Sequence, residues 1–122
     1  MTEALIIDDN RSTADALSQM LTVLGFKSRM AYGSSAAISM LGRGFTPKFI
    51  FLDLNMPGVA GTEILAFLRR EPRLLHVPVV VITSDDQPET RTKVLKLGAK
   101  AIVIKPATIE SLETALKKSE IL

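Results

Sequence analysis

The 122 residues contain no cysteine, which excludes disulfides, thiolate catalysis and cysteine-bound zinc, and fits a reducing compartment. Tryptophan is absent and aromatic residues make up only 5%, so any core must be built from aliphatic side chains. No apolar stretch approaches the roughly 20 residues that span a bilayer. The opening segment MTEALII has neither the basic nor the apolar region of a secretion signal. Cytoplasmic location is therefore expected. Charge of one sign is also lacking: 15 basic residues face 13 acidic ones, giving a net charge of +2. The bases are scattered over several segments without aromatic interleaving, as on a solvated surface rather than a nucleic-acid groove. Neither nucleic acid nor a membrane is an expected partner. The single histidine, His76, precedes an apolar run at the far end from the acidic residues described below and is expected at the surface.

What the chain has instead is a 47% hydrophobic content cut into short runs. Strand and helix patterns alternate five times with no internal linker, so residues 1–122 are expected to form one domain. ALII is followed by Ala14, Leu17, Leu21 and Leu24 at helical spacing, with Gly25 as the stop. Lys27 to Ala31 is a short strand candidate. Ser34 is expected to cap a helix over Ala36 to Leu41, closed by Gly42. Lys48 to Leu52 reads as the third strand. It leads through a loop with Pro57, Gly58 and Gly61 to a helix that turns Ile64, Leu65 and Leu68 inward and ends at Pro72. Val77 to Ile82 is the fourth strand, and Asp86-Gln-Pro-Glu89 reads as a capping box opening a helix to Leu97. Ala101 to Ile104 is the fifth strand. Thr108 then caps a helix with Ile109, Leu112, Ala115 and Leu116 on one face. Met20, Met30, Met40 and Met56 read as core or loop filler, and Arg91, Lys93, Lys96 and Lys100 as a solvated face that could also meet an acidic partner. Five such units predict an α/β fold, an open parallel sheet covered by helices on both faces.

The chemistry-bearing residues stand where the apolar runs stop. Asp8 and Asp9 follow the first run, Asp53 ends FIFLD, Thr83 ends VVVIT and Lys105 ends AIVIK. In an open parallel sheet the carboxyl ends of the strands share one edge, where ligands bind. One aspartate after a strand is ordinarily a turn former or helix cap. Three gathered at one edge repel each other, a cost that a purely structural site has no reason to carry.

These residues resemble the receiver domains of bacterial response regulators, in particular single-domain regulators of the chemotaxis type. The resemblance covers the whole chain: IIDDN, FLDLNMPG, VITS, Gly98-Ala99 and Lys105-Pro106, each in register. It implies a (βα)5, flavodoxin-like sheet of order 2-1-3-4-5 and a phosphoacceptor role for Asp53. The implied phosphodonor is a histidine kinase or a histidine phosphotransfer protein. It also implies a cis bond between Lys105 and Pro106. Two positions depart from the family pattern: Ile102 replaces an aromatic residue three before the lysine, and Ala107 replaces a large apolar residue after the lysine-proline pair. The site is complete while the usual relay to the surface is altered.

Residue chemistry supports the same assignment. An aspartate, with a reference pKa of about 3.9, is ionised at neutral pH and needs no base to act as nucleophile. It does need charge compensation to attack an anionic phosphoryl group. Mg²⁺ prefers oxygen ligands and bridges carboxylate and phosphate. Asp9 and Asp53 are the expected direct ligands, with Asp8 direct or through water and the Asn55 backbone carbonyl completing the set by resemblance. Lys105 and Thr83 can bond phosphoryl oxygens. Asn55 and Asp85 are expected to overhang the phosphoryl group and orient water, with the small Ser84 leaving the approach open. The alternatives are a flavodoxin-like cofactor binder, a pseudo-receiver that is not phosphorylated, and a dehalogenase-type phosphatase. The first would need a Gly/Ser/Thr-rich loop where Asp8-Asp9 stands, the second would lack an acid or the lysine, and the third would carry an acid at position 55.

Overall fold

The computed structural model describes residues 3–55 and 61–122. The five expected strands are present as β1 (Glu3–Ile7), β2 (Lys27–Ala31), β3 (Phe49–Asp53), β4 (Val79–Thr83) and β5 (Ala101–Ile104). The helices are α1 (Arg11–Val23), α2 (Ser34–Gly42), α3 (Gly61–Arg70), α4 (Pro88–Lys96) and α5 (Ile109–Lys118), with a 3-10 turn at Pro72–Leu74 before β4. All strands are parallel in the order β2-β1-β3-β4-β5. The winding direction reverses between the neighbours β1 and β3, so the crevice at their carboxyl ends is where such a sheet accepts a ligand.

The alternation inside each strand explains why the runs are apolar throughout. Leu5, Ile7, Ile50, Leu52, Val79 and Val81 enter a core shared with α2, α3 and Val94 of α4. Their neighbours Ala4, Ile6, Phe49, Phe51, Val80 and Ile82 enter a second core against α1 and α5. A strand buried on both faces has no position to spare for a polar residue. The few aromatics are concentrated in the second core, where Phe49 packs edge-on against Phe26 and Phe51 with ring centroids 5.1 and 5.7 Å apart.

Several boundaries differ from the sequence expectation. Proline has no N–H to donate, so β4 begins at Val79 rather than Val77, with the Pro78 carbonyl accepting from Ile50 N at 2.9 Å. Asp53 belongs to β3 and pairs with Ile82, so the strand carries its carboxylate to the edge itself. Gly33, at φ +121°, occupies the cap position of α2, and Ser34 is the helix's first residue rather than its cap. Gln87 occupies the cap position of α4 with no side-chain cap bond, so the expected Asp86–Glu89 capping box does not form. Thr108 does cap α5, in a reciprocal box with Ser111. Ile109 faces solvent instead of the core, being 42% exposed at the first turn of α5. Pro57, Gly58 and Met56 lie outside the described residues. Among those described, no helix is long and apolar enough to cross a membrane.

Every helix runs antiparallel to the strands it connects, so helix N-termini share the edge of the strand ends and C-termini lie at the opposite edge. Glu63, Glu89 and Glu110 occupy first turns, and Arg69, Arg70, Lys96, Lys117 and Lys118 occupy last turns. Each sign complements the local helix dipole. Three of the five helices, α3, α4 and α5, thereby carry an acid at the carboxyl edge and bases at the opposite one.

The start of α3 fixes the approach to the acidic edge. A Cβ at Gly61 would lie 2.7 Å from Leu54 Cδ2 and 3.0 Å from Leu54 Cα, next to the end of β3. Gly61→Ala is expected to lower stability by about 1–3 kcal/mol, measured as a lower denaturant midpoint at unchanged slope. An unchanged midpoint would show that Leu54 yields without cost.

Candidate functional site

Backbone pairing brings four chain segments to the carboxyl edge. Asp8 N bonds Ala31 O at 3.1 Å, Leu54 N bonds Ile82 O at 3.0 Å, and Lys105 N bonds Thr83 O at 2.8 Å. These ladder bonds continue the sheet by one residue past its strands and so fix where the side chains start. Oxygens of Asp8, Asp9 and Asp53 all lie within 4.8 Å of one another. Asp8 and Asp53 are buried and Asp9 is exposed. Lys105 reaches over from β5, its Nζ 3.2 Å from each carboxylate oxygen of Asp53. The Lys105–Pro106 peptide is cis.

The three carboxylates are not equally compensated. Asp53 has the ammonium of Lys105 and the Asn55 backbone N–H, the latter at 2.8 Å from Oδ1. Asp8 Oδ1 accepts from Asn10 N at 2.9 Å, while its buried Oδ2 has no hydrogen-bond partner among the described residues. Burial first, and then the neighbouring Asp53, push the Asp8 carboxyl up from 3.8 to about 6. An orphaned buried oxygen facing two further carboxylates is the donor set of a hard, oxygen-seeking cation. The residues present fit a divalent ion.

The polar loops beside this cluster form one connected network. The Asn55 side-chain oxygen accepts from Thr83 Oγ1 at 3.3 Å, Ser84 N at 3.0 Å and Ser84 Oγ at 3.3 Å. Thr83 Oγ1 in turn accepts from Asp85 N at 3.1 Å. The Asp85 carboxylate, expected to overhang the phosphoryl group, is engaged at the start of α4. It accepts from Thr90 Oγ1 and, at 2.9 Å, from Gln87 N, and these donors hold it below the usual carboxylate range. It does for the start of α4 what the absent capping box would have done. Asn10 was not among the expected residues; its side chain caps α1 by accepting from Thr13 N at 3.0 Å. The signal was an Asn directly before a helical run.

The two departures in β5 and after it also have places. Ile102 is half-buried against the core shared with α3 and α4. Ala107, with Pro106, lines an open groove of about 530 Å³ whose other wall is Ser12, Ala16 and Met20 of α1. His76 is exposed before β4, at the opposite edge from the carboxylates.

A parallel sheet whose switch point holds an acid paired to lysine and flanked by two more acids fits a phosphoryl-accepting module. Comparison with known proteins agrees. The family model for the response regulator receiver domain matches residues 4–117. Chemotaxis protein CheY of Pseudomonas aeruginosa is 30% identical over 115 residues, covering 93% of this chain and 92% of that protein. CheY-3 of Vibrio cholerae is 31% identical over 115 residues, 93% of this chain and 88% of that protein. Among solved structures, Vibrio cholerae CheY4 superposes with a TM-score of 0.89 over 100% of this chain and 99% of its own, at 24% identity. A Burkholderia pseudomallei response regulator, solved with a phosphorylated aspartic acid and a calcium ion, gives a TM-score of 0.85 at 28% identity, over 99% of this chain and 71% of its own. The chain belongs to the response regulator receiver domain family. It is a phosphoaccepting switch of two-component signalling, and the pseudo-receiver reading is not favoured.

The unequal compensation makes a prediction about the metal-free protein. With Asp8 raised in the folded state, folding takes up a proton between about pH 4 and 6, so stability falls as pH rises through that window and levels above it. Asp8→Asn should remove this fall and raise metal-free stability at pH 7.5 by up to about 3 kcal/mol. Mg²⁺ should stabilise the parent more at pH 8 than at pH 5 and stabilise Asp8→Asn little. Thermal unfolding at the two pH values, with and without chelator, measures all three effects.

Proposed function

We propose that Asp53 is the phosphoacceptor of this receiver and that Asp8, Asp9 and Asp53, with the Asn55 backbone carbonyl, hold Mg²⁺ beside it. The observation that carries this is the geometry of Asp53: buried, ionically paired to Lys105 and within 4.8 Å of the other two carboxylates. A bound Mg²⁺ would offset the anionic charge of carboxylate and phosphoryl group. The donor is a phosphohistidine on a histidine kinase or phosphotransfer protein, in the cytoplasm. A carboxylate oxygen of Asp53 attacks phosphorus, the phosphorus–nitrogen bond breaks, and the departing imidazole nitrogen keeps the electron pair and takes a proton from solvent. The groove beside Lys105, kept open by Ala107, leaves room for the donor to approach.

Lys105 already holds its ammonium 3.2 Å from both oxygens of Asp53, so it can follow the charge onto a phosphoryl oxygen without crossing the site. The Thr83 hydroxyl has one proton to donate, now given to Asn55. A phosphoryl oxygen is the stronger acceptor, and donation to it ends the bond to Asn55. The same hydroxyl oxygen accepts from Asp85 N, and Asp85 holds Gln87 and Thr90 at the head of α4. Movement of Thr83 therefore pulls on the loop to α4 directly. This route does not need an aromatic ring in β5, which suits Ile102. Water attack at phosphorus later breaks the bond to Asp53 and releases inorganic phosphate, with the Asn55 amide, already at the Thr83 hydroxyl, orienting the water.

Exposure to acetyl phosphate with Mg²⁺ should add one phosphoryl group by intact mass, and chelator or Asp53→Asn should abolish the adduct. An undiminished adduct in Asp53→Asn assigns the acceptor to another residue. In Thr83→Ala the adduct should form with Mg²⁺ affinity unchanged, while amide shifts at Ser84, Asp85 and Thr90 shrink to a small fraction of the parent's. Asn55→Leu should slow decay of the adduct by about a hundredfold, the low end of what a positioned acid–base group contributes. Parent-like shifts in the first variant, or parent-like decay in the second, would remove those residues from the mechanism.

A further inference from the structure

The bases that look scattered along the sequence converge on the edge opposite the site. Lys27 opens β2, and Lys48 and Lys100 immediately precede β3 and β5. Arg43, Arg70, Lys96 and Lys118 close α2, α3, α4 and α5 at the same edge. All seven are exposed. The acids there are few: Glu71, Glu120 and Glu3, the last neutralised by Arg29 at 3.1 Å. The middle of the edge is a groove of about 460 Å³ with Lys48, Arg73 and His76 in its wall, and Glu120 as the acid among its lining residues. Helix dipoles account for the bases in last turns. They do not account for lysines at the starts of strands, where the sheet has little net dipole.

We infer that this amino edge is a docking surface for an anionic lipid bilayer, which holds the receiver with its phosphorylation site facing away from the membrane. Three observations favour a bilayer over other polyanions. The positive charge is spread across the sheet from β2 to β5 rather than focused in a cleft, as a flat and diffuse negative surface requires. Exposed aliphatic side chains stand among the cations: Val23, 70% exposed at the end of α1, and Leu75, 41% exposed before β4. Apolar contact combined with lysine and arginine is the chemistry of an interfacial site. A nucleic-acid surface would call for exposed stacking aromatics or an element that enters a groove; at this edge Phe26 is buried and Phe45 is half-buried beneath the Arg29 guanidinium, 4.5 Å from the ring centroid. Separation from the site is also sufficient. A five-residue strand spans about 17 Å, roughly two Debye lengths at physiological salt, so the acids at the far end do not cancel the field here.

The test is co-sedimentation of the whole chain with vesicles of phosphatidylglycerol and phosphatidylcholine in about equal parts, against pure phosphatidylcholine and against a DNA duplex as competitor. Binding to the anionic vesicles, release by high salt and no binding to the neutral vesicles are expected. Lys48→Glu combined with Lys100→Glu should weaken binding by at least about tenfold. Val23→Ser should weaken it severalfold without changing its salt dependence. Melting temperature and Mg²⁺-dependent phosphorylation of each variant should match the parent, which confirms that the fold is intact and keeps this inference separable from the assignment of Asp53. Equal pelleting on both vesicle types, no pelleting, unimpaired pelleting of the charge-reversed variant, or DNA binding tighter than the vesicles at equal phosphate concentration would each overturn the inference.

Discussion

Mutual repulsion of three carboxylates at the ends of two adjacent strands is the constraint on which the site depends. The fold forces the approach: β1 and β3 are hydrogen-bonded neighbours, and each ends in acid. Buried strands on both sides give the backbone no freedom to relieve it by splaying. Relief comes instead from specific donors, Lys105 and Asn55 N–H for Asp53 and Asn10 N–H for one oxygen of Asp8. The second oxygen of Asp8 is left over, buried and without a partner. A structural site would have replaced it with an apolar group, since an unsatisfied buried oxygen costs about 1–3 kcal/mol. A cation held as proposed would satisfy it and so stabilise the fold.

The same economy of partners governs how a change at Asp53 can travel. Asn55, Thr83, Ser84 and Asp85 share a handful of hydrogen bonds, and the Thr83 hydroxyl both donates to one loop and accepts from the next. A hydroxyl with a single proton cannot serve two acceptors, so under the role proposed for Thr83 an added phosphoryl oxygen would change the loop before α4 by substitution of one bond for another. Ile102 sits half-buried against the core and has no polar atom to join this exchange. In the proposed mechanism the coupling runs through the β4–α4 loop, where Asp85 donates its N–H to the threonine and accepts from Gln87 and Thr90 at the helix start.

The parts of this arrangement that sequence could reveal are those set by local pattern. Apolar runs bounded by turn residues located four strands, with the mixed segment Lys27–Ala31 a short candidate for the fifth, and acids, threonine and lysine at the run ends located the cluster, because parallel strands must share an edge. What was hidden depended on which of several nearby polar groups takes a turn's donors, on which way a terminal residue faces, and on strand order. The start of α4 is held by Asp85, which accepts from Thr90 and Gln87, rather than by the box pattern at Asp86. Ile109 fits an apolar helical stripe, yet it opens α5 at the solvent-facing edge. The gathering of lysines before β2, β3 and β5 was least legible of all. Residues more than twenty positions apart come to one edge only through the topology of the sheet.

Asp53, Lys105 and Thr83 form the centre of the account, and a phosphoryl mimic interrogates all three at once. The most direct measurement is a crystal structure with Mg²⁺ and beryllium trifluoride. The account predicts the mimic bonded to a carboxylate oxygen of Asp53, the ion among Asp8, Asp9 and Asp53, Lys105 Nζ and Thr83 Oγ1 each on a fluorine, and the Thr83–Asn55 bond broken. A mimic on another carboxylate, or one on Asp53 with Thr83 still donating to Asn55, would contradict it.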